Sequence, residues 1–96
     1  MRYVYLVAYD ISDTTRLYQV HKTMLGFGDP FQFSVFICLL SPKERILMLD
    51  SLNGLIKKDE DRIMVVTLGP EGTSTSEHVE FLGLRKELPS RKAVVV

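Results

Sequence analysis

The run Tyr3-Val4-Tyr5-Leu6-Val7-Ala8-Tyr9 sets seven apolar or aromatic residues in succession before Asp10, Ile11 and Ser12. A run of this length and this β-branched, aromatic character predicts a strand buried on both faces. Such a strand occupies the middle of a sheet. A side chain at its end is carried on the stiffest element of the domain, where functional groups are best positioned. Asp10 is therefore the first candidate for chemistry. The competing reading is a strand-end aspartate that caps a turn or simply faces water.

At 96 residues and 46% hydrophobic content, the chain suits one globular domain with its own core. We divide it into a domain over residues 1–83 and a basic C-terminal tail over 84–96. The tail holds Arg85, Lys86, Arg91 and Lys92 against Glu87 alone. Twelve basic and twelve acidic residues cancel over the whole chain, so no global basic field announces nucleic acid, although a local patch stays open. Cys38 is the only cysteine, which rules out an internal disulfide and suits a reducing cytoplasm. The first apolar run meets Asp10 too soon for a signal peptide, and no window reaches the roughly 18 apolar residues of a membrane span. A cytoplasmic protein without a membrane segment is expected.

Past the first strand, Ser12 or Asp13 can cap a helix, because both side chains accept from free backbone N–H groups. Leu17, Val20, Met24 and Leu25 follow helical spacing with His21 beside them, and Arg16, Gln19, Lys22 and Thr23 fall on the other side. Gly26 and Gly28 are expected to end this helix through the left-handed conformation. Asp29-Pro30 reads as a turn. Phe31 to Leu40 is a second extended stretch of period two, and a break near Gln32–Ser34 would divide it. Ser41-Pro42-Lys43-Glu44 forms a capping box with proline at the first helical position, and Met48, Leu49, Leu52, Leu55 and Ile56 make the stripe behind it. Asp59-Glu60-Asp61 reads as a solvated acidic connection rather than a metal cluster. A strand follows from Arg62 to Leu68, closed by Gly69-Pro70. His78 to Leu82 alternates and reads as a short strand. Ala93 to Val96 would leave an apolar terminus that invites edge pairing with a partner. The sum is a two-layer α+β sandwich: two helices on one face of an antiparallel sheet, the other face open. That second face is expected to be apolar, so association through the sheet is the economical solution.

One carboxylate cannot cage Mg²⁺, but this ion keeps several waters and often takes only one or two protein carboxylates with phosphate oxygens. In a two-fold dimer, a residue near the axis faces its own copy. Two Asp10 side chains brought together would repel, and a shared cation would relieve that repulsion. Such a cation would polarise a phosphodiester and activate water. Arg16 and Lys22 read as solvated helix residues or as phosphate contacts, with Arg16 favoured because its fork matches phosphate oxygens. His21 reads as a packed helix residue. Ser34 has no activating histidine and no nucleophile elbow around it. Cys38 reads as an inert buried thiol, and Gly26-x-Gly28 closes a helix rather than opening a phosphate loop. Tyr9, Phe33 and Phe36 could stack bases, although strand aromatics usually belong to the core.

Tyr9-Asp10-Ile11-Ser12, Arg16, and Gln32-x-Ser34-Val35-Phe36 followed by Leu40-Ser41-Pro42 resemble the small CRISPR-associated nuclease family of the spacer-acquisition machinery, Cas-two. The similarity runs from the first strand to about Gly83. It implies a ferredoxin-like fold and a homodimer in which a late strand completes the neighbour's sheet. It also implies a metal-dependent endonuclease acting on RNA or double-stranded DNA, with Asp10 as catalytic and metal-holding residue. By the same resemblance, Arg16 is a basic helix-one position for nucleic acid and Ser34 and Phe36 belong to the supporting strand; beside them we place Lys22 as a second nucleic-acid contact and Tyr9 and Ser12 as supports of the site. The implied partner is the Cas-one integrase, with the dimer bridging its copies and holding DNA. Architectural DNA binding without cleavage is the alternative. Two positions depart from the family pattern: Phe31 replaces a basic residue common before the glutamine, and Ile37 replaces an acid often found after the phenylalanine.

Overall fold

The computed structural model describes residues 1–83. The elements follow in the order β1 (Tyr3–Asp10), α1 (Thr14–Met24), β2 (Asp29–Gln32), β3 (Val35–Leu40), α2 (Pro42–Asn53) and β4 (Arg62–Pro70), with a 3₁₀ turn at Thr75–Glu77. All strand pairs are antiparallel and the sheet order is β2-β3-β1-β4. This is the ferredoxin-like β-α-β-β-α-β arrangement. The seven-residue run thus becomes a central strand, as its lack of polar alternation requires. The basic tail over 84–96 and the pairing of Ala93–Val96, expected from the sequence, lie outside the described residues.

Odd residues of β1 face the helices. Tyr5, Val7 and Tyr9 join Phe36, Cys38 and Leu40 of β3, Val20 and Met24 of α1, and Met48 and Leu52 of α2 in one buried core. Even residues face the other way. There Val4, Phe31 and Ile37 form a second cluster, flanked by Leu6, Val35, Leu39 and Leu68.

Helix starts are chemical, and both fall where the caps place them. Asp13 accepts from the Arg16 amide at 3.0 Å. Ser41 Oγ accepts from the Glu44 amide at 3.1 Å, while Glu44 Oε1 accepts from the Ser41 amide at 2.7 Å, with Pro42 opening the helix.

Four expectations change, and one left open is decided. Gly26 and Gly28 do not end α1 in the left-handed region; Leu25 caps it in the right-handed one, leaving its side chain exposed. Gly28 is instead required by proximity, because a Cβ there would collide with Cys38 Sγ and the Ile37 carbonyl. Asp29-Pro30 opens β2 rather than turning, and Pro30 is tolerated because β2 is an edge strand. The open point is the second extended stretch, which Phe33-Ser34 divides into β2 and β3 at the position the sequence allowed. Asp61 is buried, not solvated. His78 to Leu82 is not a strand: Val79 and Phe81 lie on the second face of the sheet, with the Phe81 ring 5.0 Å from that of Phe31 at 77°. Its alternation is satisfied by side-chain burial instead of strand pairing, so among the described residues that face is covered at one end and open at the other.

Candidate functional site

Asp10 ends β1 on the even, open face, in line with Val4, Leu6 and Ala8, and its side chain is exposed. Directly opposite on β4 stands Arg62, also exposed, which makes no ion pair among the described residues. The strand end therefore presents one carboxylate and one guanidinium side by side, at the rim of an apolar surface. Sequence reasoning missed Arg62, because its significance depends on the β1–β4 register.

Beneath Asp10, on the helix side, the residues around Tyr9 fix the strand end. The Tyr9 amide donates to the Ser34 carbonyl at 3.1 Å. Its hydroxyl donates to the Phe33 carbonyl at 3.3 Å and lies 3.0 Å from His21 Nδ1. With the phenol proton given to Phe33, the hydroxyl oxygen accepts from Nδ1–H of the imidazole. Burial raises the Tyr9 phenol above its ordinary value, which keeps it a neutral donor. The Phe36 ring closes the cluster, 6.2 Å from Tyr9 and 5.3 Å from His21. Tyr9, Ser34 and Phe36 thus gather as supports of the Asp10 backbone, and His21 is a packed residue with a satisfied ring nitrogen.

Ser12 and Arg16 belong to a second cluster on the other side of the turn. Asp61 accepts from Arg16 Nε at 2.8 Å, from the Lys57 amide at 2.8 Å and from the Ser12 amide at 3.1 Å. Glu60 takes Arg16 Nη2 at 3.1 Å. The Arg16 guanidinium, then Lys57 and Ser12 N–H groups, hold the Asp61 carboxyl well below the usual carboxylate range, and Arg16 is raised in turn, chiefly by Asp61. Arg16 accordingly spends its fork on two carboxylates, tying the β1–α1 turn to the α2–β4 loop. Lys22 is exposed on α1 and makes no ion pair among the described residues. Asp61 itself escaped sequence reasoning: an aspartate in an acidic turn carries no local sign of burial.

Whether these residues suit a metal is a matter of donor count. No group of three or more His, Cys, Asp or Glu gathers to hold an ion among the described residues. Asp10 alone fits a hard cation that retains its waters, completed by phosphate oxygens or a second carboxylate. No helix of the described residues is long and apolar enough to cross a membrane.

The chain was compared with known proteins. The profile described as CRISPR associated protein Cas2 matches residues 1–75. A relative from Rhodospirillum rubrum, named CRISPR-associated endoribonuclease Cas2 1, is 40% identical over 94 residues, covering 98% of this chain and 91% of its own. One from Geobacter sulfurreducens, named CRISPR-associated endoribonuclease Cas2, is 34% identical over 96 residues and covers both chains fully at 100%. Among solved structures, Streptococcus pyogenes Cas2 at pH 6.5 superposes with a TM-score of 0.72 at 30% identity, over 83% of this chain and 99% of that one. A hypothetical protein from Thermus thermophilus, TT1823, gives a TM-score of 0.77 at 25% identity, covering 93% and 100%. With the motif residues, the strand order and these matches in agreement, the chain belongs to the Cas2 family of CRISPR-associated proteins.

Proposed function

We propose that this protein is a homodimeric, divalent-metal-dependent endonuclease of CRISPR adaptation, cleaving phosphodiesters in RNA or double-stranded DNA through Asp10. The observation that carries this reading is the exposed Asp10 at the end of the central strand, beside Arg62 and at the rim of an open apolar sheet face. Leu6 and Ala8 of β1, Val35 and Leu39 of β3, and Met64 and Val66 of β4 form that face, and a second copy is its natural cover.

In such a pair, Asp10 and its copy would hold Mg²⁺ or a similar cation, which when bound polarises the phosphodiester and activates water. Arg62 supplies a charge for a phosphate oxygen, and Lys22 a further contact along the strand. The bonds from Tyr9 to Phe33 and Ser34 fix the backbone that carries Asp10. The Arg16–Asp61 pair fixes the turn that follows.

The test is cleavage of labelled RNA and duplex DNA with and without Mg²⁺ or Mn²⁺. Asp10→Ala should lose at least on the order of 100-fold in rate while staying folded; full activity in that variant refutes the proposal. A second reading has its own support in the single carboxylate per chain and the engaged fork of Arg16. In it, the dimer is an architectural adaptor that bridges the Cas-one integrase and holds DNA. Integration assays with the partner separate the two, since an adaptor keeps integration when Asp10 is replaced.

A further inference from the structure

Phe33 is 71% exposed, whereas the neighbouring aromatics Tyr9 and Phe36 are buried. Single exposed apolar side chains are ordinary on protein surfaces. Phe33 differs in how firmly it is held. Its carbonyl accepts from the Tyr9 hydroxyl at 3.3 Å, and the next carbonyl, of Ser34, accepts from the Tyr9 amide at 3.1 Å. One face of its ring stacks on His21, with centroids 5.9 Å apart and planes at 20°. His21 in turn is fixed by Tyr9 and by the Phe36 ring. The result is a flat aromatic surface on a braced pedestal, and Tyr9, which holds it, is the residue before Asp10 in sequence. On α1, exposed Lys22 directly follows His21 in sequence, and Tyr18, 66% exposed, stands one helical turn before Lys22.

We propose that the outer face of Phe33 is a stacking platform for an unpaired nucleobase, with Lys22 on the adjoining phosphate. The Phe33 ring stands at a two-residue turn between strands, with one face on His21 and most of its surface exposed. Planar stacking is what a lone, braced ring offers, and every base has a π-face to meet it. A base inside a duplex has both faces covered by its neighbours, so the ligand is a single-stranded or splayed segment. The platform lies on the helix side of the sheet, so it stays available when the open face is covered. The inference rests on the nucleic-acid reading of the Asp10 site and adds to it a preference for unpaired strand.

The experiment uses the full chain in EDTA, with 2-aminopurine in single-stranded RNA and DNA oligonucleotides and in a closed hairpin duplex. Wild type and Phe33→Tyr should bind the single strand and change the 2-aminopurine emission. Phe33→Leu should weaken single-strand binding about 5- to 100-fold and lose the emission change, with duplex affinity unaltered. The RNA and DNA arms identify which strand the platform serves, and a loss in either supports the proposal. Single-strand binding by Phe33→Leu equal to wild type overturns it, as does an equal loss on the duplex or no single-strand binding by wild type. Cleavage plays no part in this readout. Failure of the metal-site reading shows separately, as cleavage retained by Asp10→Ala.

Discussion

Asp61 has no exposed side-chain surface and still carries its charge, because it accepts five hydrogen bonds, two of them from Arg16. A buried carboxylate without such partners would take up a proton. Its folded pKa lies below the unfolded one, so its contribution to stability is complete above the ordinary carboxylate range and is lost as pH falls below it. Asp61→Asn should therefore lower Tm by on the order of 10 °C at pH 7. The gap from wild type should narrow as the pH is taken towards 2, as read by calorimetry; a gap that widens in acid would contradict the assignment. Arg16→Lys should be defective too, since an ammonium cannot reproduce the two-pronged contact with Asp61.

At the scale of elements, the helix starts are self-contained chemistry. Ser41→Ala removes the acceptor for the Glu44 amide and should cost about 1 kcal/mol in urea unfolding. The Ser41 amide, then Arg2, depresses the Glu44 carboxyl to about 2 from 4.5, so its share of stability is present above about pH 4.5 and fades as pH falls through about 2. Glu44→Gln should flatten that part of the acid limb. These caps were legible in the sequence because their partners lie three residues apart. The central strand was legible because seven unbroken apolar residues have few other uses. The β2–β3 break at Phe33-Ser34 was legible only as an option near Gln32–Ser34, since the alternation runs straight through it and only the return pairing with β3 decides for the turn. Segment 78–82 shows the same limit: Val79 and Phe81 alternate as a strand would, yet what they contact is the far face of the sheet. For the site, Asp10 and its supports Tyr9, Ser34 and Phe36 could be named from the motif. Arg62 and Asp61 could not, because they arrive through register and long-range hydrogen bonding.

For the whole molecule, the proposed pairing falls on the open half of the sheet. Met64 is 53% exposed and Val66 37%, both beside Leu6 and Ala8, so water meets a contiguous apolar surface there. Met64→Glu would place a charge in the proposed contact. By light scattering it should convert a dimer to a folded monomer; an unchanged dimer would locate the interface elsewhere. The most direct measurement of the central claim is Mn²⁺ binding, followed by electron paramagnetic resonance in the absence of nucleic acid. Two Asp10 carboxylates sharing one ion predict one Mn²⁺ for every two chains, abolished by Asp10→Asn. One ion per chain, or binding untouched by that substitution, would contradict it.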